Sequence, residues 1–160
     1  MLKVLTVFGT RPEAIKMAPV ISELEKYRGL IENKNCLTGQ HKEMVEPLLK
    51  LFNIRVDYDL NLMRENQTLE HITISVLQEV SRILRGEHFD LLLVQGDTTT
   101  SMAAALAAFY CGVKIGHIEA GLRTFDKRHP YPEEANRKII DSIADVYFAH
   151  TEAAKKHLLN

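Results

Sequence analysis

The chain has 160 residues, 46% of them apolar and 26% charged, with a net charge of −1. This length and balance describe one domain with a full core and exclude wholesale disorder. The near-zero charge gives no broad basic surface for nucleic acid or anionic membrane, and no apolar run approaches the ~20 residues of a membrane span.

Strand and helix signals alternate from end to end. Leu2–Phe8 reads as a strand that runs into the turn Gly9-Thr10-Arg11, so the start does not resemble a signal peptide. A helix over 12–27 follows, with Pro12 suited to its first turn and Ile15, Ala18, Ile21 and Leu24 at helical spacing. A short strand over 35–38 ends in Gly39-Gln40-His41, and a helix over 42–52 carries the apolar stripe Met44, Leu48, Leu49, Phe52. The stretch 53–66 is mostly irregular, with a short strand at 58–60. Thr68 caps a long helix to Arg85, with Ile72, Val76, Leu77, Val80, Ile83 and Leu84 facing inward. Leu91–Gln95 is a strand, followed by an alanine-rich helix over 99–110 and a strand over 113–118. A loop over 121–131 leads to a helix over 132–144, a strand over 146–149 and a helix over Glu152–Leu159. Strands separated by helices predict a three-layer αβα sandwich on a parallel, Rossmann-like sheet with right-handed crossovers. Ending on an apolar helix suggests a piece of a longer protein. Cys36 and Cys111, few and far apart, fit reduced thiols in the cytoplasm rather than a disulfide framework or a zinc site.

Three strand ends carry charged residues toward one predicted sheet edge, where open α/β sheets bind ligands. Arg11 stands at a helix start, where a cation opposes the helix dipole; that mismatch points to an anion on the free N–H groups. Lys16 lies one turn on, able to follow Arg11, although alone it reads as a solvated lysine. Asp97 sits beside Thr98, Thr99, Thr100 and Ser101, any of which could cap the next helix, so the carboxylate is redundant as a cap. Glu119 closes a strand where no helix start needs an acid, and period-two alternation puts His117 on its face. A buried carboxylate there needs a partner such as Arg123 or a ligand. Glu133 and Glu134 read, on spacing alone, as ordinary first-turn acids, with Glu133 four residues before Arg137 in a routine helical ion pair. Gln40 and His41 fall at the same edge. The seven histidines form no HExxH or similar ligand spacing, so no metal site is expected, and no GxGxxG, P-loop or GxSxG pattern is present.

The segments Val7-Phe8-Gly9-Thr10-Arg11-Pro12-Glu13-Ala14-Ile15-Lys16-Met17-Ala18-Pro19, Gly39-Gln40-His41, Gly96-Asp97-Thr98-Thr99-Thr100, Gly116-His117-Ile118-Glu119-Ala120-Gly121-Leu122-Arg123-Thr124 and Tyr131-Pro132-Glu133-Glu134-Ala135-Asn136-Arg137 closely resemble the non-hydrolysing UDP-N-acetylglucosamine 2-epimerases. The resemblance spans the whole chain, as the N-terminal half of that family. It implies one Rossmann-like domain of a GT-B fold, with a C-terminal domain absent from residues 1–160. It also implies interconversion of UDP-GlcNAc and UDP-ManNAc by elimination and re-addition of UDP, needing no cofactor. Carried over by motif, Asp97, Glu119 and Glu133 are the catalytic carboxylates. Arg11, Lys16 and Arg137 belong to the substrate and charge network, with Gln40 and His41 also at the substrate side. A UDP-sugar is the expected ligand and a homodimer the expected assembly. Two rivals stay open: a GT-B glycosyltransferase domain, and a nucleotide-sugar binding or assembly module without catalysis.

Overall fold

Apolar side chains of the central strands point alternately to the two faces of a single sheet and feed two separate cores, one on each face. The computed structural model describes residues 1–39, 42–62, 64 and 67–159. The strands are β1 (Leu2–Phe8), β2 (Ile31–Leu37), β3 (Tyr58–Asp59), β4 (Leu91–Gln95), β5 (Lys114–Ile118) and β6 (Val146–Phe148). All pair in parallel, in the order β3-β2-β1-β4-β5-β6. The helices are α1 (Arg11–Lys26), α2 (Lys42–Leu51), α3 (Leu69–Gly86), α4 (Thr99–Cys111), α5 (Glu133–Ile143) and α6 (Glu152–Leu159). Leu5, Val7, Leu92, Val94 and Ile115 pack with α3 and α4 on one face. Val4, Phe8, Leu37 and Leu93 pack with α1 and α2 on the other. This is the αβα sandwich that the alternation predicts. Among the described residues no helix is long and apolar enough to cross a membrane.

Local chemistry fixes the helix starts. Thr10 caps α1 in a reciprocal box with Glu13, Thr68 caps α3 through the His71 N–H, and Thr98 caps α4 through the Ser101 N–H. Gly112, at φ 71°, ends α4 in a left-handed turn. In α4, Ala103, Ala104, Ala105, Ala107 and Ala108 have no exposed surface, so small side chains let this helix lie close to the sheet, α3 and α5.

Two readings change. Strand β2 begins at Ile31, four residues before the expected start. Its first half is polar, and it holds its place through a side-chain ladder. Thr6 donates to Asn33 (2.7 Å), Asn33 to Asn35 (2.9 Å), and Asn35 to the Arg55 carbonyl (2.8 Å). The helical stripes of α1 and α2 are also rotated. Ile15, Met44 and Phe52 are exposed, while Ala14, Met17 and Val45 are buried. In α1 the capping box turns Glu13 inward, which brings the next face, Ala14-Met17-Ala18-Ile21, onto the sheet.

At the amino edge of the sheet, Glu87 accepts from Lys3 and Lys34, each at 2.5 Å, and from the Tyr58 hydroxyl. These hydrogen bonds hold the Glu87 carboxyl down to about 2, against an ordinary value of 4.5. Burial, helped by the Glu87 contact, pushes the Tyr58 phenol up to about 12. A carboxyl depressed in the folded state stabilises fully above its unfolded value and loses that contribution as pH falls through its folded value. Glu87→Gln therefore costs more stability at pH 6 than at pH 3, by urea denaturation. An equal cost at both pH values would show that the cluster does not carry this linkage.

Candidate active site

The strand order reverses direction between β1 and β4. At such a switch point the two neighbouring strand-to-helix turns diverge to opposite faces and leave a crevice at the carboxyl edge. Here the turns are Gly9-Thr10 and Gly96-Asp97-Thr98. One side chain joins them. Glu13 is 1% exposed and accepts from the N–H of Gly9 (2.8 Å), the N–H of Thr10 (2.7 Å) and the Thr98 hydroxyl (2.5 Å). The Ser101 hydroxyl lies 2.9 Å from the same carboxylate and 2.7 Å from the Gln95 carbonyl, between which its single hydrogen is shared.

Asp97 follows Gly96, whose φ is 72°. Thr98 does the capping, so the Asp97 carboxylate is free to meet Arg137 at 2.6 Å. Arg137 is buried in α5, and its other terminal nitrogen donates to Glu134 at 2.9 Å. Asn136 donates to the Asp97 carbonyl at 2.9 Å. Thus α5 grips the β4–α4 turn by both backbone and side chain. Glu134 is fully buried and also accepts from the N–H groups of Thr124 (3.0 Å) and Phe125 (3.2 Å). Burial alone pushes its carboxyl up, but these bonds and Arg137 outweigh that and hold it below the usual range.

Glu119 lies just beyond β5 with φ 67°, a left-handed conformation that costs a non-glycine residue roughly 1–2 kcal/mol. Its N–H and that of Ala120 both donate to the Phe148 carbonyl. The kink breaks the period-two alternation, so Glu119 and His117 do not share a face. The Glu119 carboxylate lies over Gly96, where an added Cβ would stand 3.6 Å from Oε2. Lys16 reaches it at 2.6 and 2.7 Å, and Gln95 donates to it. Lys16 therefore joins the cluster, although its side chain stays half-exposed.

The expected Arg123 partnership is not formed. Arg123 instead pairs with Asp141 at 2.7 Å, which faces the buried His117. Burial pushes the Asp141 carboxyl up, but His117 and Arg123 outweigh it and hold it below the usual range. The expected Glu133–Arg137 pair is also replaced, by Arg137 with Glu134. Glu133 leads α5, and its Oε2 is buried without a hydrogen-bond partner among the described residues. Arg11 is exposed at the start of α1 and makes no bond to another described residue. Gln40 and His41 lie outside the described residues. Among the described residues, no three His, Cys, Asp or Glu side chains gather as a metal site requires.

The carboxyl edge thus carries two ion pairs on neighbouring turns, Asp97 with Arg137 and Glu119 with Lys16, with Arg11 and Glu133 on the helices that flank them. Sequence reasoning passed over Glu13, Gln95 and Asn136, and took Glu134 for an ordinary first-turn acid. Glu13 had a signal, because Thr10-Arg11-Pro12-Glu13 matches the capping-box spacing. Gln95 had none beyond its place at a strand end.

Residues 23–160 match the family model described as UDP-N-acetylglucosamine 2-epimerase. The chain is 53% identical to the UDP-N-acetylglucosamine 2-epimerase of Neisseria meningitidis, over 99% of this chain and 42% of that protein. It is 51% identical to the enzyme of the same name from Bacillus subtilis, over 99% of this chain and 41% of that one. It spans less than half the length of these relatives. The crystal structure of the Neisseria enzyme bound to UDP-GlcNAc superposes with a TM-score of 0.95, over 99% of this chain and 42% of that one. Acinetobacter baumannii MurG, at 16% identity and a TM-score of 0.63, covers 91% of this chain and 40% of that one and shares the fold alone. With these neighbours, the sheet is one half of a GT-B fold. The chain belongs to the UDP-N-acetylglucosamine 2-epimerase family.

Proposed function

We propose that this chain is the N-terminal, catalytic-residue-bearing half of a cytoplasmic, homodimeric UDP-GlcNAc 2-epimerase, and that its carboxyl edge forms one wall of a cleft completed by a second domain. The observation that carries this reading is the pair of charged contacts, Asp97 with Arg137 and Glu119 with Lys16, beside the sheet's switch point, in a chain of this family. Epimerisation at C2 removes a proton from one face. The electron pair forms the C1–C2 double bond of 2-acetamidoglucal as the C1–O bond breaks and UDP leaves with that bond's electrons. UDP then re-adds at C1 and a proton is delivered to the other face of C2. Asp97, Glu119 and Glu133 are the groups assigned to these proton transfers and to the network that supports them. The unpartnered Glu133 oxygen supports its inclusion, because a buried acceptor left alone in a protein asks for a ligand or a proton. Arg11, Lys16 and Arg137 supply positive charge for the leaving diphosphate. Gln40 and His41 are assigned to the substrate side by motif alone.

In D2O, the full-length enzyme carrying this chain should form UDP-ManNAc with deuterium at C2. Asp97→Asn, Glu119→Gln and Glu133→Gln should each lower kcat by roughly 10²-fold or more with smaller changes in binding, whereas Arg11→Ala should weaken UDP binding as well. Retention of the original C2 hydrogen, or near-normal kcat in all three carboxamide variants, would reject the reading.

Glycine accepts φ 67° without strain, and Lys16 is half-exposed, so its pair with Glu119 contributes little. Glu119→Gly should thus lose turnover without lowering the melting temperature. A clear drop in melting temperature would mean that Glu119 is held for stability.

The isolated 160-residue chain has only one wall of the cleft and should fold without turning over, because ligand closure and positioning are incomplete. Turnover comparable to the full-length enzyme would refute the two-wall site.

A further inference from the structure

We propose that the buried His117–Asp141 pair is a positioning device for two of the candidate carboxylates, acting through the backbone of the turns that carry Asp97 and Glu119. This inference rests on the epimerase reading. His117 has no exposed surface, and the Asp141 side chain is 4% exposed, so neither is placed to act on a ligand itself. His117 Nε2 lies 2.7 Å from the Gly96 carbonyl. A carbonyl only accepts, so Nε2 carries a hydrogen and donates. Gly96 is the residue before Asp97 and is already in the left-handed region. On the other side of the ring, Nδ1 faces Asp141 Oδ1 at 2.5 Å. The second oxygen of Asp141 accepts from the Gly121 N–H at 3.2 Å, two residues after Glu119, and from Arg123 at 2.7 Å. One side-chain chain, rooted in α5, therefore holds the turn after β4 and the turn after β5.

Filling volume does not explain this choice. A leucine would occupy similar space without the desolvation of an imidazole and a carboxylate. What the polar pair adds is registry: a fixed distance between two turns that, among the described residues, are joined by no backbone hydrogen bond beyond Gly96 N–H to the Ile118 carbonyl. Catalysis reads such registry steeply, since a misplacement of about 1 Å costs about 10²-fold in rate.

The test uses the full-length enzyme carrying this chain. His117→Asn should lower kcat by roughly 10- to 100-fold while KM stays within about threefold. His117→Gln, whose amide nitrogen can reach the Nε2 position, should recover a large part of that loss. If His117 acts through Asp97, the His117→Asn loss should largely vanish in an Asp97→Asn background, so that the double variant is about as slow as Asp97→Asn alone. Should His117→Asn not fold, Asp141→Asn in wild-type and Glu119→Gln backgrounds decides by the same criterion. Equal fold-losses in both backgrounds, a Gln variant no better than the Asn variant, or an unchanged kcat overturns the positioning role. Deuterium at C2 is measured on the wild-type enzyme in the same series. Its absence rejects the epimerase reading, whereas normal exchange with additive variants rejects the positioning role alone.

Discussion

The Glu13 carboxylate is the constraint on which the carboxyl edge depends. Among the described residues it has no cationic partner, so hydrogen bonds must offset its desolvation. Those bonds come from two turns, one directly before α1 and one before α4, whose Thr98 lies 85 residues from Glu13 in sequence. The residue that closes the helix cap of α1 thereby also sets the distance between the two walls of the switch-point crevice. Moving either turn would strand a buried charge, which makes the geometry all-or-none rather than adjustable. Arg11 and Lys16 ride on the first wall and Asp97 on the second, so their relative placement follows from Glu13.

Helix α5 is the other fixed body. Its residues Glu134, Asn136, Arg137 and Asp141 face inward and bind, in turn, the loop after β5, the Asp97 carbonyl, the Asp97 carboxylate and the Gly121 N–H. Around the core residue Ile140, the inward face of this helix is thus mostly polar, and it is held largely by directional bonds where α3 is held by apolar packing. Directional bonds specify one arrangement of turns; apolar contacts tolerate small slides. The strain stored at Glu119 persists because both sides of its kink are over-determined, by the Phe148 carbonyl on one side and Asp141 at Gly121 on the other.

The fold was legible because apolar alternation and helix caps speak locally. Thr68, Thr98 and the runs of β1 and β4 carry their own conformational reasons. Strand β2 was half hidden, since Asn33 and Asn35 take their place from neighbours on β1 and from Arg55, which no local pattern announces. At the site, the strand-end position of Asp97 and Glu119 was readable from chain order alone. Their partners were not. Lys16 and Glu119 are separated by 103 residues, and Arg137 chose Glu134 and Asp97 over Glu133, which also lies one helical turn away. Spacing along a helix names the possible pairs, and the third dimension decides among them.

The two ion pairs at the edge differ in how firmly they are held. Arg137 is 7% exposed and divided between two carboxylates, so withdrawing it would leave the fully buried Glu134 with an unpaired charge. Such a pair is costly to break. Lys16 is 49% exposed, and a solvent-facing pair of this kind contributes only about 0–1 kcal/mol. Its long side chain can leave Glu119 for an incoming anion at small cost, while Gln95 still holds one Glu119 oxygen in place. In the epimerase reading this asymmetry suits the chemistry. The arginine keeps Asp97 in register, and the lysine is the cation free to follow a departing diphosphate, uncovering Glu119 as it moves.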